Sequence, residues 1–460
     1  MASVNNVYDS VVEAIGRTPL VRLNRVGKET GATFYAKLEY MNPGHSVKDR
    51  IAVQMLDDAE RSGALKPGGT IIECTSGNTG MGLAMVGAVR GYRTILVMPD
   101  KVSGEKIKAL RAFGAKVITT PTAVPPEDPR SYYSVAQRLQ QENPNSFFAN
   151  QYHNKSNPAA HLKTTGPEIW EQIGERLDAV VVATGTGGTL TGIARYIKPR
   201  RPQVRMVLVD PIGSILHEYF KTRKVAKSFK TYKVEGFGED FIPSSLDIEM
   251  VDDCYQVTDK ECFTTARELT RKEGLFSGGS AGGAVCGAIK FARDHPECRT
   301  IVVLLPDSGS RYLSKLFDDD WLRENSFLDE EETYGRLRDI MERQKHPLIA
   351  ARPEDGVQTI IRMMKKHGIS QVPVLDGVRL VGIISEVDLL NALLADPASV
   401  DRPVADLVDQ NYVIVPPDTP ISRLGSVFSA GKVALVQEGG EVRGVVTKID
   451  LIDHVAGLMR

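Results

Sequence analysis

Apolar residues fall into two kinds of run up to residue 320, and the two kinds alternate. Residues 70–73 (TIIE), 94–98 (TILVM), 179–183 (AVVVA), 206–210 (MVLVD) and 300–305 (TIVVLL) are continuous and rich in β-branched side chains. Between them lie stretches with apolar or small residues at helical spacing, as in residues 80–90 and the segment that follows the glycines of residues 184–189 through Ile197. A strand that is apolar on both faces needs cover on both faces. The pattern therefore predicts an α/β fold with helices on either side of the sheet. Residues 121–129, rich in proline, read as an exposed loop.

The pattern changes at residue 318, where DDDWLRENSFLDEEETYGRLRDIMERQKH runs to His346 without a strand. Its charge and helix formers predict a semi-rigid linker. Beyond it the chain repeats itself. Residues 381–389 (VGIISEVDL) match residues 443–451 (RGVVTKIDL), and Pro353 to Val357, then His367-Gly368, match Pro417 to Ile421, then Ala430-Gly431, at nearly the same offset. Two copies of one small unit, neither able to bury its own apolar face, should pack as a pair. The expected division is 1–320, a linker over 321–345, and two repeats over 346–396 and 397–460.

Composition narrows the function. A formal net charge of −1 supplies no broad attraction to nucleic acid or to an anionic membrane. No apolar run nears the roughly 20 residues that span a bilayer, and MASVNNVYDS lacks the charged and apolar regions of a secretory signal. Five scattered cysteines, with no C-x-x-C, predict neither a disulfide framework nor a metal site and fit a reducing compartment. The expected location is the cytoplasm.

Residues 42–50 (NPGHSVKDR) enter a helix over 51–63 with Ile51, Met55, Leu56 and Ala59 on one side. Ser46 and Asp49 have capping-box spacing, which puts Lys48 in the first turn. A lysine is unfavourable beside the positive end of a helix dipole. That repulsion, with burial, favours the neutral amine that attacks carbonyl compounds; the alternative is a solvated surface lysine. Two further segments sit between a strand and a helix: residues 75–80 (TSGNTG) and 184–189 (TGTGGT). Exposed backbone N–H groups at such turns bind carboxylate or phosphate, although either segment could be a tight turn. A dinucleotide fingerprint with Asp210 as ribose ligand fails on spacing, because a glycine is required where Leu190 stands.

Lysine loop, TSGNTG and TGTGGT, in this order, resemble the fold-type II pyridoxal-phosphate enzymes, whose fold is like the β subunit of tryptophan synthase. Within that group they resemble the cysteine synthase and cystathionine β-synthase family, and the likeness runs from residue 10 (SVVEAIGRTPLVRLNRV) to Trp321. The resemblance implies a Schiff base on Lys48, with Asn78 at the ring hydroxyl of pyridoxal 5'-phosphate. It puts the phosphate on Gly185, Thr186, Gly187, Gly188 and Thr189, and Ser280 of SGGSAGG at the pyridine nitrogen. A hydroxyl there leaves the nitrogen neutral and disfavours transamination; Ser280 is otherwise a helix N-cap. The substrate carboxylate would lie on Thr75, Ser76, Gly77 and Thr79, with Gln151 and Tyr152 of ANQYHNKSNP beside it. Gly236 and Glu239 of EGFGEDFIP would face the second substrate, and the acidic pair Glu239-Asp240 favours homocysteine over sulfide. The implied reaction joins serine to homocysteine, giving cystathionine and water for cysteine synthesis by transsulfuration. Hydrogen sulfide from cysteine would be a side activity, and the rival donor pair is O-acetylserine with sulfide. Lys48 would remove the α-proton and help protonate the departing hydroxide. Few residues precede the family-like start, so no haem is expected, and His45 stands where relatives carry a small residue.

The repeat resembles a tandem pair of CBS domains. Its signature is Ser385 with Asp388 and Thr447 with Asp450, each pair opening a helix after an apolar strand. In that family the carboxylate accepts ribose hydroxyls, which implies an adenosyl ligand: AMP, ATP or S-adenosylmethionine. The plain reading is that each Asp caps its helix. Ile369 and Ser370 precede QVPV where S-adenosylmethionine binders carry an aromatic and an acidic residue. The family also implies a homodimer or higher homo-oligomer. A nucleotide-sensing protein with an inert first domain is the rival of a different class.

Overall fold

A computed structural model describes all residues except 1–6, 76, 101, 103, 122–123, 125–127, 226–229, 329–333, 344–347 and 459–460. Much of the expected loop over 121–129 falls outside the described residues. The chain forms two compact units, Met1–Phe327 and Leu328–Arg460.

The first unit holds two sheets, and the expected strands form their centres. One sheet has the order Leu20–Arg22, Thr33–Leu38, Thr300–Leu305, Ala179–Ala183, Arg205–Pro211 and Asp253–Val257. Only its first pair is antiparallel. The other sheet is wholly parallel, in the order Lys116–Thr120, Arg93–Pro99, Thr70–Cys74 and Ser146–Phe148. The apolar blocks are central because they can be covered twice: every residue of Thr70–Cys74 is buried, as are four of the five in Ala179–Ala183. In a parallel sheet all strands deliver their following loops to one edge, where binding sites gather. Residues 75–77, 184–187 and 306–308 all leave from that edge of their sheets.

The helix Lys48–Ser62 packs on Asn78–Arg90, and Ile51, Met55, Leu56 and Ala59 are all buried with Leu83 and Val86, as their spacing predicts. Gly82 permits the approach: a Cβ there would lie 3.0 Å from both the Ala52 Cβ and the Lys48 carbonyl oxygen. The helix ends at Gly63, which takes φ 74° and closes on the Glu60 carbonyl.

The second unit contains the repeat. Gln371–Asp376 pairs antiparallel with Arg379–Ser385 ahead of the helix Glu386–Ala395. Val433–Glu438 pairs antiparallel with Glu441–Val446 ahead of the helix Lys448–Leu458. The copies complete each other. Leu337 and Ile340, before the first copy, are buried among Val415, Ile421, Leu424 and Val436 of the second. Val404, near the start of the second copy, is buried among Val357, Ile360, Val372 and Val374 of the first. Matching hydrogen bonds fix both crossings, from Leu337 N–H to Thr419 O at 2.9 Å and from Val404 N–H to Asp355 O at 2.8 Å. The stretch read as a linker is divided: the helix Asp319–Glu324 belongs to the first unit, where Trp321 meets Phe263 edge-on, and Leu337–Arg343 belongs to the second. Among the described residues no helix is long and apolar enough to cross a membrane.

Candidate active site

The helices that carry the candidate residues, Lys48–Ser62, Asn78–Arg90, Gly188–Ile197 and Gly279–Asp294, receive no side-chain cap from the residue before them, Val47, Gly77, Gly187 and Gly278. An uncapped helix start presents unpaired N–H groups and the positive end of the dipole. The edge Pro306-Asp307 ties three of them together. Val47 N–H donates to Pro306 O at 2.8 Å, Gly278 N–H to Asp307 O at 3.1 Å, and the Asn78 amide to Asp307 Oδ2 at 2.8 Å.

Lys48 is the first residue of its helix and half-buried. Burial lowers its pKa, while Asp307 and Glu239 pull the other way. The capping box expected at Ser46 and Asp49 does not form. The Ser46 hydroxyl takes the N–H of Lys48 at 3.3 Å, but Asp49 turns back to the N–H of Gly44 at 2.5 Å. The loop needs that bond, because residues 42–47 must reverse direction to meet the strand end at Asp307. Burial then raises the Asp49 carboxyl to about 7. His45 sits exposed in this loop with φ 61°, tethered through its backbone to Asn42 and Ser308.

Asn78 opens its own helix. Its amide oxygen accepts from Arg311, and its nitrogen gives one hydrogen to Asp307, which also accepts from the Tyr312 hydroxyl at 2.6 Å. The other amide hydrogen has no acceptor among the described residues. Ser280 is not the N-cap; Gly278 is, and Ser280 lies in the first turn with 2% exposure. Among the described residues its hydroxyl has no hydrogen-bond partner, and it faces Gly236, where a Cβ would stand 3.8 Å away.

The loop over 184–189 is closed to side chains from behind. A Cβ on Gly187 would meet Leu246 at 2.3 Å and one on Gly188 would meet Asn157 at 1.9 Å. Gly187 also takes φ 78°. The N–H groups of Gly185, Thr186 and Gly187 donate to no described residue. A Cβ on Gly185 would lie 3.3 Å from Gly236 O and 3.4 Å from a Glu239 carboxylate oxygen, so Gly236 and Glu239 border the loop.

Of the substrate-side residues, Ser76 lies outside the described residues. Gly77 takes φ 145°, and its N–H reaches the Thr75 hydroxyl at 3.1 Å. Thr79 donates to the side-chain oxygen of Gln151 at 2.6 Å. Sequence reading missed the group beneath them. Glu73 is fully buried and accepts the Gln151 N–H at 3.4 Å on one oxygen, while the other has no hydrogen-bond partner among the described residues. Burial raises its carboxyl to about 8 despite that donor. Tyr152 meets Phe241 edge-on at 5.1 Å and Tyr133 at 6.4 Å, forming an aromatic wall. Burial and then the Glu239 charge push its phenol well above the usual value.

Two further charged clusters were not foreseen. Arg50, two residues past Lys48, binds Glu39 at 2.7 Å and Glu168 at 2.6 Å, and Glu168 also binds the buried Lys37 at 2.8 Å. These cations hold Glu168 down at about 2 against the upward push of burial. Glu235 pairs with Lys106 and, at 2.5 Å, with Lys315. Asp210, rejected as a ribose ligand, is buried and accepts the His217 N–H at 2.9 Å, so it holds its own turn.

In the second unit Asp388 Oδ2 accepts the N–H and hydroxyl of Ser385 at 2.8 and 2.6 Å, and Asp450 Oδ2 does the same for Thr447. Both acids close the turn at their helix start, and at Ser385 the Asp388 N–H returns the bond to complete a capping box.

The first-unit site fits a phosphorylated pyridine aldehyde. It joins an amine of lowered pKa, a glycine cradle with free N–H groups, a buried hydroxyl without partner and an amide with one hydrogen to spare. Residues 11–307 match the family described as pyridoxal-phosphate dependent enzyme, and residues 337–395 and 404–457 each match the CBS domain. Cystathionine β-synthase of Oryctolagus cuniculus is 41% identical over 99% of this chain and 86% of its own length. That of Saccharomyces cerevisiae is 36% identical over 97% and 98%. Among solved structures, O-ureido-L-serine synthase covers 69% of this chain and 99% of its own at TM-score 0.63 and 39% identity. A hydrogen sulfide-producing enzyme of Fusobacterium nucleatum covers 67% and 99% at TM-score 0.62 and 36% identity. The chain belongs to the cystathionine β-synthase family, with a fold-type II pyridoxal-phosphate enzyme followed by tandem CBS domains.

Proposed function

We propose that the chain joins L-serine to L-homocysteine, forming cystathionine and water. The carrying observation is the lowered pKa of Lys48 within a ring of uncapped helix starts. Bound pyridoxal phosphate supplies the electron sink for breaking the bond to the α-hydrogen. Residues 185–189 would hold its phosphate, Asn78 its ring hydroxyl and Ser280 its pyridine nitrogen. A hydroxyl at Ser280 would leave that nitrogen neutral, which would favour loss of the β-substituent over amino-group transfer. The serine carboxylate lies on Thr75, Ser76, Gly77 and Thr79, with Gln151 beside it. Lys48, once displaced by the substrate amine, takes the α-proton and returns a proton to the departing hydroxide as water. The homocysteine sulfur bonds the β-carbon, and the proton its thiol gives up passes by way of Lys48 to the α-carbon. Tyr152 lines its path, Gly236 leaves room for it, and the Glu239 carboxylate attracts its ammonium. Cysteine in place of serine releases hydrogen sulfide.

Borohydride trapping on cofactor-saturated protein should put the adduct on Lys48, and serine with homocysteine should give cystathionine. An adduct elsewhere, or faster turnover of O-acetylserine with sulfide, would defeat this reading. In the second unit, the Oδ1 atoms of Asp388 and Asp450, beside Ser385 and Thr447, are the remaining acceptors for the ribose of an adenosyl ligand. The protein works as a homodimer or larger homo-oligomer in the cytoplasm, and exposed apolar residues such as Leu394, at 75%, and Ile449, at 60%, favour self-association. Equilibrium dialysis with AMP, ATP and S-adenosylmethionine tests the ligand, and sedimentation tests the assembly.

A further inference from the structure

The loop over 184–189 carries no cationic side chain, so a phosphate there must be held by N–H and hydroxyl donors alone. A hydroxyl helps only if its hydrogen points at the anion, and this depends on what its oxygen meets behind the loop. Thr186 Oγ1 faces the Asn157 amide nitrogen at 3.0 Å, and Thr189 Oγ1 faces His161 Nε2 at 3.1 Å. Asn157 and His161 are four residues apart on the helix Ser156–Lys163, so they share a face. Both are buried, and a Cβ on Gly188 or Gly192 would collide with them.

Hydrogen direction follows from satisfaction. The Asn157 nitrogen also lies 2.8 Å from the Gln151 carbonyl, which can only accept. The amide orientation is thereby fixed, and both its hydrogens are spent, one of them on Thr186. Thr186 then accepts, and its own hydrogen is free. His161 Nδ1 lies 2.8 Å from the Thr165 hydroxyl, which is fully buried and meets no other described partner. If Nδ1 carried a hydrogen, the Thr165 hydrogen would be orphaned in the core. Thr165 therefore donates to Nδ1, Nε2 carries the ring hydrogen, and Thr189 accepts it. Burial, with Arg50 and Lys48 nearby, keeps the ring neutral, as this arrangement requires.

We propose that Asn157, His161 and Thr165 are positioning residues that turn the hydroxyl hydrogens of Thr186 and Thr189 toward the cofactor phosphate. The proposal rests on reading residues 184–189 as the phosphate cradle. Thr165 touches no part of the loop and acts only through His161.

The test compares binding of pyridoxal phosphate with binding of pyridoxal, which lacks the phosphate, to the cofactor-stripped full-length chain, read by absorbance of the Lys48 adduct. His161→Leu should weaken pyridoxal phosphate about tenfold, the worth of one hydrogen bond to a charged group, while pyridoxal changes by less than about twofold. His161→Gln, which keeps a donor near the Nε2 position, should recover most of the loss. Thr165→Val should cost about threefold for pyridoxal phosphate alone, with no further loss in the His161→Gln background. Equal losses for both aldehydes would show a merely structural role and overturn the proposal, as would unchanged affinity in Thr165→Val. Wild-type protein that binds both aldehydes with equal affinity would instead remove the cradle reading itself.

Discussion

Helix starts at the first unit's site differ from those after the hairpins of the second unit. In the first unit the helices after Gly77, Gly187 and Gly278 start on glycine with no side-chain cap, whereas Thr258 forms a capping box with Glu261. In the second unit Ser385 and Thr447 close the same kind of turn with their own Asp three residues on. A reciprocal cap is worth about 1 kcal/mol, and the three site helices forgo it. An N–H spent on a cap cannot bind an anion. The first unit keeps its helix starts open and secures them from behind, with Asn157 and His161 under one loop and Glu73 with Gln151 under another. The second unit secures each turn from within.

Four substitutions separate these two designs. Lys48→Ala should have the largest effect: loss of the visible adduct and at least a thousandfold fall in turnover by product assay. Retained colour would detach the amine from the open helix starts. Gly188→Ala puts a methyl where the Asn157 oxygen stands, 1.9 Å from the new carbon. It should cost about 2–4 kcal/mol in chemical denaturation and abolish tight cofactor binding.

Glu73→Gln addresses the second loop through pH. The Glu73 carboxyl is raised from 4.5 to about 8, so between these values the folded chain keeps a proton that the unfolded chain has lost. Stability from this group therefore falls as pH rises through that window, by a few kcal/mol at most. Glutamine removes the fall. The Tm of Glu73→Gln minus wild type should climb by several degrees from pH 5 to pH 8, and a flat difference would mean that Glu73 is ionised throughout. The smallest effect belongs to Asp388→Ala. It should lower the stability of the second unit by about 1 kcal/mol and leave cofactor affinity untouched.

The strands and the Lys48 helix were legible because continuous β-branched runs and the Ile51, Met55, Leu56, Ala59 spacing each have one low-energy reading. The turns holding Asn78 and the glycines of residues 185–188 were legible from small residues between a strand and a helix, while the roles given to Lys48, Asn78 and those glycines came from the family resemblance. The supports behind them were not. Asn157 and His161 have the spacing of a solvent-facing helix stripe, and only the fold shows that the face is covered. Arg50 meets Glu168 across 118 positions, and no local pattern carries a pairing of that range. Ser46 and Asp49 misled for the opposite reason: the local motif was present, but Gly44 offered Asp49 a better partner.

The crossing of Leu337 and Val404 between the repeat copies has a consequence for any attempt to cut the gene. A fragment ending at residue 396 would strand Leu337 and Ile340 without their greasy slot and leave Val357 and Ile360 wet. The other fragment would suffer the mirror-image defect. The duplicated segments are a single heritable unit, and deletion of either should unravel its sister.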